Sequence, residues 1–76
     1  MDLEKFIKDF EEGIEAVEPG SLVAKTRYRE HKAWDSLAVL TVTDIIEVKY
    51  GVLLNKKDFE STATIEELYE CVIRKR

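Results

Sequence analysis

The sequence predicts an all-α fold, a small four-helix bundle of three main helices and one short one. Three observations carry this. Apolar residues recur at three- and four-residue spacing in the first and last thirds of the chain. Capping residues stand before three apolar runs, at Asp2, Asp35 and Thr64. No two stretches offer each other the partners that a sheet needs. Seventy-six residues at 45% hydrophobic content suit one domain over residues 1–76 with a single shared core.

The first helix is expected over residues 2–17. Leu3, Phe6, Ile7, Phe10, Ile14 and Val17 make one stripe, and Asp2 can cap the start. Glu4, Lys5, Lys8, Asp9, Glu11, Glu12 and Glu15 fill the opposite side, and Pro19-Gly20 ends the helix. Residues 20–34 show no sustained period and read as a long ordered loop with at most a short helical turn. They are locally basic, with Lys25, Arg27, Arg29 and Lys32 against Glu30. Loops of this length in small domains are often functional, and a plain solvated connection is the alternative.

The segment from Ser36 to Tyr50 holds a conflict. Seven of the ten residues from Val39 to Val48 are β-branched, which on propensity alone suggests a strand. The run is too long for a typical strand, starts after Asp35, a good N-cap, and stops at Gly51, so it is a helix. Val39, Val42, Ile46 and Tyr50 form its core line. Leu37, Leu40, Ile45 and Val48 lie around that line, and those near Ser36 are expected at the surface as a docking face, with a wider core as the alternative. Asn55 to Ser61 reads as one short turn anchored by Phe59. Thr64 and Glu67 have capping-box spacing at the head of the last helix, whose face is Ile65, Leu68, Tyr69, Val72 and Ile73. Arg74, Lys75 and Arg76 suit its negative pole.

Composition excludes several classes. Sixteen acidic against twelve basic side chains give a net charge of −4, which disfavours nucleic acid. No apolar run is long enough to span a bilayer, and Met1-Asp2-Leu3-Glu4 begins nothing like a signal peptide. Cys71 is the sole cysteine and reads as a small hydrophobe beside a helix face in a reducing, cytoplasmic compartment. One histidine and one cysteine give no basis for a metal site, and no glycine-rich phosphate loop is present. Ser36 with His31 is the only nucleophile–base pair to nominate. The two lie five residues apart across a helix boundary with no third group to orient the histidine, so the chain is expected not to be an enzyme.

At Trp34-Asp35-Ser36-Leu37 the sequence resembles the acyl carrier protein family, whose prosthetic-group serine lies in an Asp-Ser-Leu motif at the start of the second helix. The helix running from Ser36 into Ile45-Ile46-Glu47-Val48-Lys49-Tyr50-Gly51-Val52 resembles the family's second helix. Asp58-Phe59 followed by Thr64-Ile65-Glu66-Glu67-Leu68 resembles its third helix and the opening of its fourth. The likeness covers essentially the whole chain. It implies a 4'-phosphopantetheine arm on Ser36, attached by a phosphopantetheinyl transferase. It also implies thioester-bound acyl groups presented to acyl-loading and acyl-using enzymes by a monomeric carrier. Asp35, Leu37, Leu40, Asp44 and Glu47 are the residues it nominates for partner docking.

The chain departs from carriers of fatty-acid synthesis, whose second helix is strongly acidic. Among the outer positions Ala38, Thr41, Asp44, Glu47 and Val48 only two are acidic, and the preceding loop is basic. That points to a specialised pathway with its own partners. Two alternatives remain: an aminoacyl or peptidyl carrier with the same modified serine, and a helical interaction module that uses the Leu37/Leu40 surface without a cofactor.

Overall fold

A computed structural model describes residues 2–15 and 17–76; Met1 and Ala16, the second of them inside the helix expected over residues 2–17, lie outside the described residues. The described residues form four α-helices and no strand: α1 (Leu3–Glu12), α2 (Ser36–Tyr50), α3 (Lys56–Glu60) and α4 (Ile65–Lys75), with a 3-10 turn at Tyr28–Glu30. No helix among them is long and apolar enough to cross a membrane.

Each helix begins where a side chain can satisfy a first-turn amide. Asp2 accepts from the Glu4 amide at 3.0 Å, Asp35 from Ala38 at 2.9 Å, Asn55 from Asp58 at 3.0 Å and Thr64 from Glu67 at 3.2 Å. The reciprocal capping box lies on α3, where the Asp58 carboxylate returns to the Asn55 amide at 2.9 Å. On α4 Glu67 also reaches back, accepting from the Ala63 amide at 2.6 Å, and the Ala63 and Thr64 amides hold its carboxyl below the usual value. Helix α2 stops at Gly51, whose φ of 70° lies in the left-handed region that a residue with a Cβ adopts only at a cost.

The first helix is shorter than its apolar period implied. It ends at Glu12, not Val17, and Gly13 caps it with its amide on the carbonyls of Phe10 and Glu11. Close packing requires the glycine at this cap: a Cβ at Gly13 would sit 2.8 Å from Val42 Cγ2 of α2. Beyond that point tight turns take over, with Ile14 bonded to the Glu11 carbonyl and Val17 to that of Ile14. Ile14 and Val17 are still buried, so the apolar period continues through a break in the helix. Two acids assigned to the solvent side are buried as well. Glu11 turns its carboxylate onto the amides of Gly20 (3.0 Å) and Leu22 (2.9 Å), holding the loop against α1. Asp9, 5% exposed, is met by Lys5, Lys49 and Tyr50.

One core joins all four helices: Phe6 and Phe10 from α1, Val42 and Ile46 from α2, Phe59 from α3, and Ile65, Leu68 and Val72 from α4. The loop over residues 20–34 contributes Leu22 and Tyr28, which its lack of period had concealed. Its carbonyls at Ala24 and Thr26 accept the Glu66 and Ile65 amides, so the loop completes the first turn of α4. On α2 the inward line is Ala38, Val42 and Ile46. Val39 and Tyr50 are half-buried, and Ala38, taken as an outer position, points inward. On α4, Cys71 takes an inward place and Ile73 is 42% exposed.

Candidate functional site

Ser36 is the first residue of α2 and is exposed. Its position is fixed from behind. Asp35 is extended, and its side chain and carbonyl take the first-turn amides of Ala38 (2.9 Å) and Val39 (3.0 Å). Trp34, one residue earlier, is stacked on Phe10 with centroids 5.7 Å apart and planes 6° from parallel. The same indole meets the Tyr28 ring edge-on at 5.0 Å and the Phe59 ring at 5.8 Å. The Tyr28 hydroxyl in turn lies within hydrogen-bond reach of the Phe59 and Thr62 carbonyls (3.2 and 3.3 Å). Aromatic residues from α1, the loop and α3 therefore hold the segment that presents Ser36, while the serine hydroxyl itself meets no hydrogen-bond partner among the described residues.

Helical geometry gathers most of the nominated residues. At 100° per residue, Ser36, Leu37, Leu40, Asp44, Glu47 and Val48 fall within an arc of about 120°. All six are exposed, Leu37 at 63%, Leu40 at 67% and Val48 at 76%. Asp35 is exposed beside this arc, with Oδ1 accepting from the Ala38 amide. The face is thus apolar beside the serine and acidic in its middle, and among the described residues neither Asp44 nor Glu47 is within 4.0 Å of a cation.

Two grooves flank the serine. Between α2 and α3 lies one of about 580 Å³, lined by Ser36, Val39, Leu40, Leu54 and Phe59, with Lys56 on its polar side. On the other side of α2 a groove of about 470 Å³ runs past Asp35 and Leu37 to Gly13 and the acids Glu12 and Glu15. Neither groove was visible in sequence, because each needs α3 or the end of α1 to be folded against α2. Phe59 was the one available signal, as a lone large anchor in a short polar helix.

Other ionisable groups are committed to the fold. Burial would raise the Asp9 pKa, but hydrogen bonds from Tyr50 (2.6 Å), Lys49 (2.9 Å) and Lys5 (3.3 Å) together hold it below the usual carboxylate value. Burial and the Asp9 carboxylate push the Tyr50 phenol up. Burial, with Asp58 beside it, also pushes the Cys71 thiol up, which disfavours the reactive thiolate. His31 Nδ1 accepts from the Ala33 amide at 3.1 Å, so that nitrogen serves its own turn rather than Ser36. The basic loop is partly neutralised internally, by Lys25 on Glu66 at 2.7 Å and Arg27 on Glu30 at 3.1 Å. Among the described residues no group of three or more His, Cys, Asp or Glu side chains is placed to hold a metal ion.

What the arrangement offers chemically is one accessible hydroxyl on a rigid helix start, beside an exposed apolar pair and an apolar groove. No protein-family model matches the chain, and neither the curated proteins nor the solved structures include a match.

Proposed function

We propose that this chain is a carrier protein that holds a 4'-phosphopantetheine arm on Ser36 and presents thioester-bound acyl groups to partner enzymes of a specialised pathway. The observation that carries the reading is the exposure of the Ser36 hydroxyl at the head of α2, with Leu37 and Leu40 exposed beside it and an apolar groove at its side. In the attachment step the Ser36 oxygen attacks the pantetheine-bearing phosphorus of coenzyme A. The pyrophosphate bond breaks, 3',5'-adenosine diphosphate leaves, and the hydroxyl proton passes to a base of the transferase. The carrier supplies the nucleophilic oxygen and a fixed backbone; the chemistry belongs to the partner.

Physical features support this division of labour. A helix N-terminus tolerates the phosphodiester charge. The Leu37/Leu40 pair gives a docking enzyme something apolar to bury, and Asp44 and Glu47 set encounter rate and partner choice more than affinity. The same exposed pair also favours a second reading, a helical interaction module that needs no cofactor.

Intact mass after incubation with coenzyme A and a broad-specificity phosphopantetheinyl transferase separates the two. The carrier reading expects a gain of one phosphopantetheine that disappears in Ser36→Ala. No gain with several transferases would sink it and leave the interaction module. Supplying acyl- and aminoacyl-activating enzymes to the loaded protein then distinguishes an acyl from an aminoacyl or peptidyl carrier.

A further inference from the structure

The flanks of Ser36 differ in charge, and an anionic group leaving the serine must choose between them. Toward α1 the groove carries Glu15 and Asp35, and Glu12, whose carboxylate Lys49 meets at 2.9 Å. Toward α3 it carries Val39, Leu40, Leu54 and Phe59, with Lys56 and Glu60 at its edge. Among the described residues Lys56 is the one cation lining either groove. It is also barely engaged: its ammonium is 3.9 Å from Glu60, and the two side chains are 89% and 60% exposed. An i,i+4 pair that long and that exposed contributes little and can be exchanged for a stronger anion.

Resting on the carrier reading above, we infer that Lys56 is a positioning residue for the arm, drawing the phosphodiester on Ser36 toward the α2–α3 side while Glu15 and Asp35 repel it from the other. A phosphodiester presents a full negative charge and strong acceptor oxygens, and an ammonium is a mobile point charge suited to meet it. Lys56 starts α3, and its backbone is fixed by the Asn55–Asp58 capping box, so the flexible stem swings from a firm base. With the phosphate turned this way, the apolar methyl groups that follow it in the arm face Leu40 and Leu54. Glu60, released from Lys56, is left at the outer edge of the groove. The fold thus gives the arm a resting side and leaves the α1 side of the serine to approaching enzymes.

The test uses the full chain carrying the arm, installed from coenzyme A by a transferase, in the wild type and in Lys56→Arg, Lys56→Gln and Lys56→Glu. Phosphorus and proton NMR at low ionic strength would follow the phosphodiester resonance and the contacts between the arm's methyl groups and Leu40 and Leu54. Lys56→Arg should keep the wild-type shift and contacts. Lys56→Gln should lower the docked population by about two- to fivefold, the range expected of an exposed ion pair, and Lys56→Glu should abolish the contacts. Added salt should weaken docking in the wild type and have less effect in Lys56→Gln. The unmodified forms should melt together, since Lys56 is exposed. Identical phosphorus shifts and contacts in all four loaded proteins would overturn the inference and leave the carrier reading standing. Failure of the wild type to accept the arm would overturn both.

Discussion

At its first turn α2 exposes Ser36, Leu37 and Leu40, and at its last turn the same helix sends Lys49 and Tyr50 onto Asp9, which is 5% exposed. The first turn is held from behind, by Asp35 on the backbone and by the Trp34, Phe10, Tyr28 and Phe59 rings, so Ser36 and Leu37 stay free while Ala38 packs inward. The last turn is held by its side chains: Lys49 bridges Asp9 and Glu12 at 2.9 Å each, and the Tyr50 ring packs 5.6 Å from Phe6. On the carrier reading proposed above, the helix end that offers a hydroxyl is the one fixed by backbone and neighbours. An end with no such duty spends its functional groups on the fold.

The aromatic support gives the largest expected effect. Phe10→Ala removes a side chain that is 1% exposed and touches both Tyr28 and Trp34. Truncating a buried aromatic in this way costs about 3–5 kcal/mol, a large share of what a domain of this size has to lose. Urea unfolding followed by fluorescence of the single tryptophan would measure it. Because Trp34 loses its stacking partner, its emission should also shift in the folded baseline. A loss below about 1 kcal/mol would show that the rings do not support the Ser36 end.

The ionic end gives the middle effect and a pH dependence. Asp9→Asn keeps the shape of the side chain and removes the charge that three donors address, at a cost of about 1.5–3 kcal/mol. The folded pKa of Asp9 is depressed below its ordinary 3.8. Its contribution is therefore complete well above that value and is lost as pH falls through it toward the folded pKa. Asp58 behaves alike: burial would raise it, but Lys75 at 2.6 Å and the Asn55 amide hold it down. Wild-type stability should fall as the solution is taken from about pH 5 to pH 3, and Asp9→Asn should fall less over the same range. Parallel acid limbs in the two proteins would show that Asp9 is not the titrating group.

How legible these two ends were differs for a physical reason. Asp35 before Ser36, Gly51 after Tyr50 and Thr64 before Ile65 are local signals, each acting on amides or dihedrals within four residues, and the structure uses all of them. The all-helical composition followed from them. Nonlocal features were hidden. Tyr28 lies in a stretch with no period, Glu11 reaches amides nine and eleven residues away, and Asp9 meets groups forty residues on. The close approach of Val42 to Gly13, at the end of α1, was hidden because it is made across the core. At the candidate site the exposed serine and leucines were readable from one helix, whereas the groove required Leu54 and Phe59 to arrive from elsewhere.

The smallest effect is the sharpest test of the Ser36 end. If the backbone there is held by Asp35, then Asp35→Ala should cost about 1 kcal/mol, since the Ala38 amide loses its acceptor. Ser36→Ala should instead change stability by less than about 0.5 kcal/mol, because the hydroxyl is exposed and alanine suits a helix slightly better. Urea midpoints of the two variants at neutral pH make the comparison directly. If the order reverses, so that losing the hydroxyl destabilises more than losing the cap, Ser36 is a structural residue and the contrast between the two ends of α2 collapses. If it holds, a hydroxyl that contributes almost nothing to folding stands on a backbone held by the Asp35 cap and the rings around Trp34, which suits a modification site.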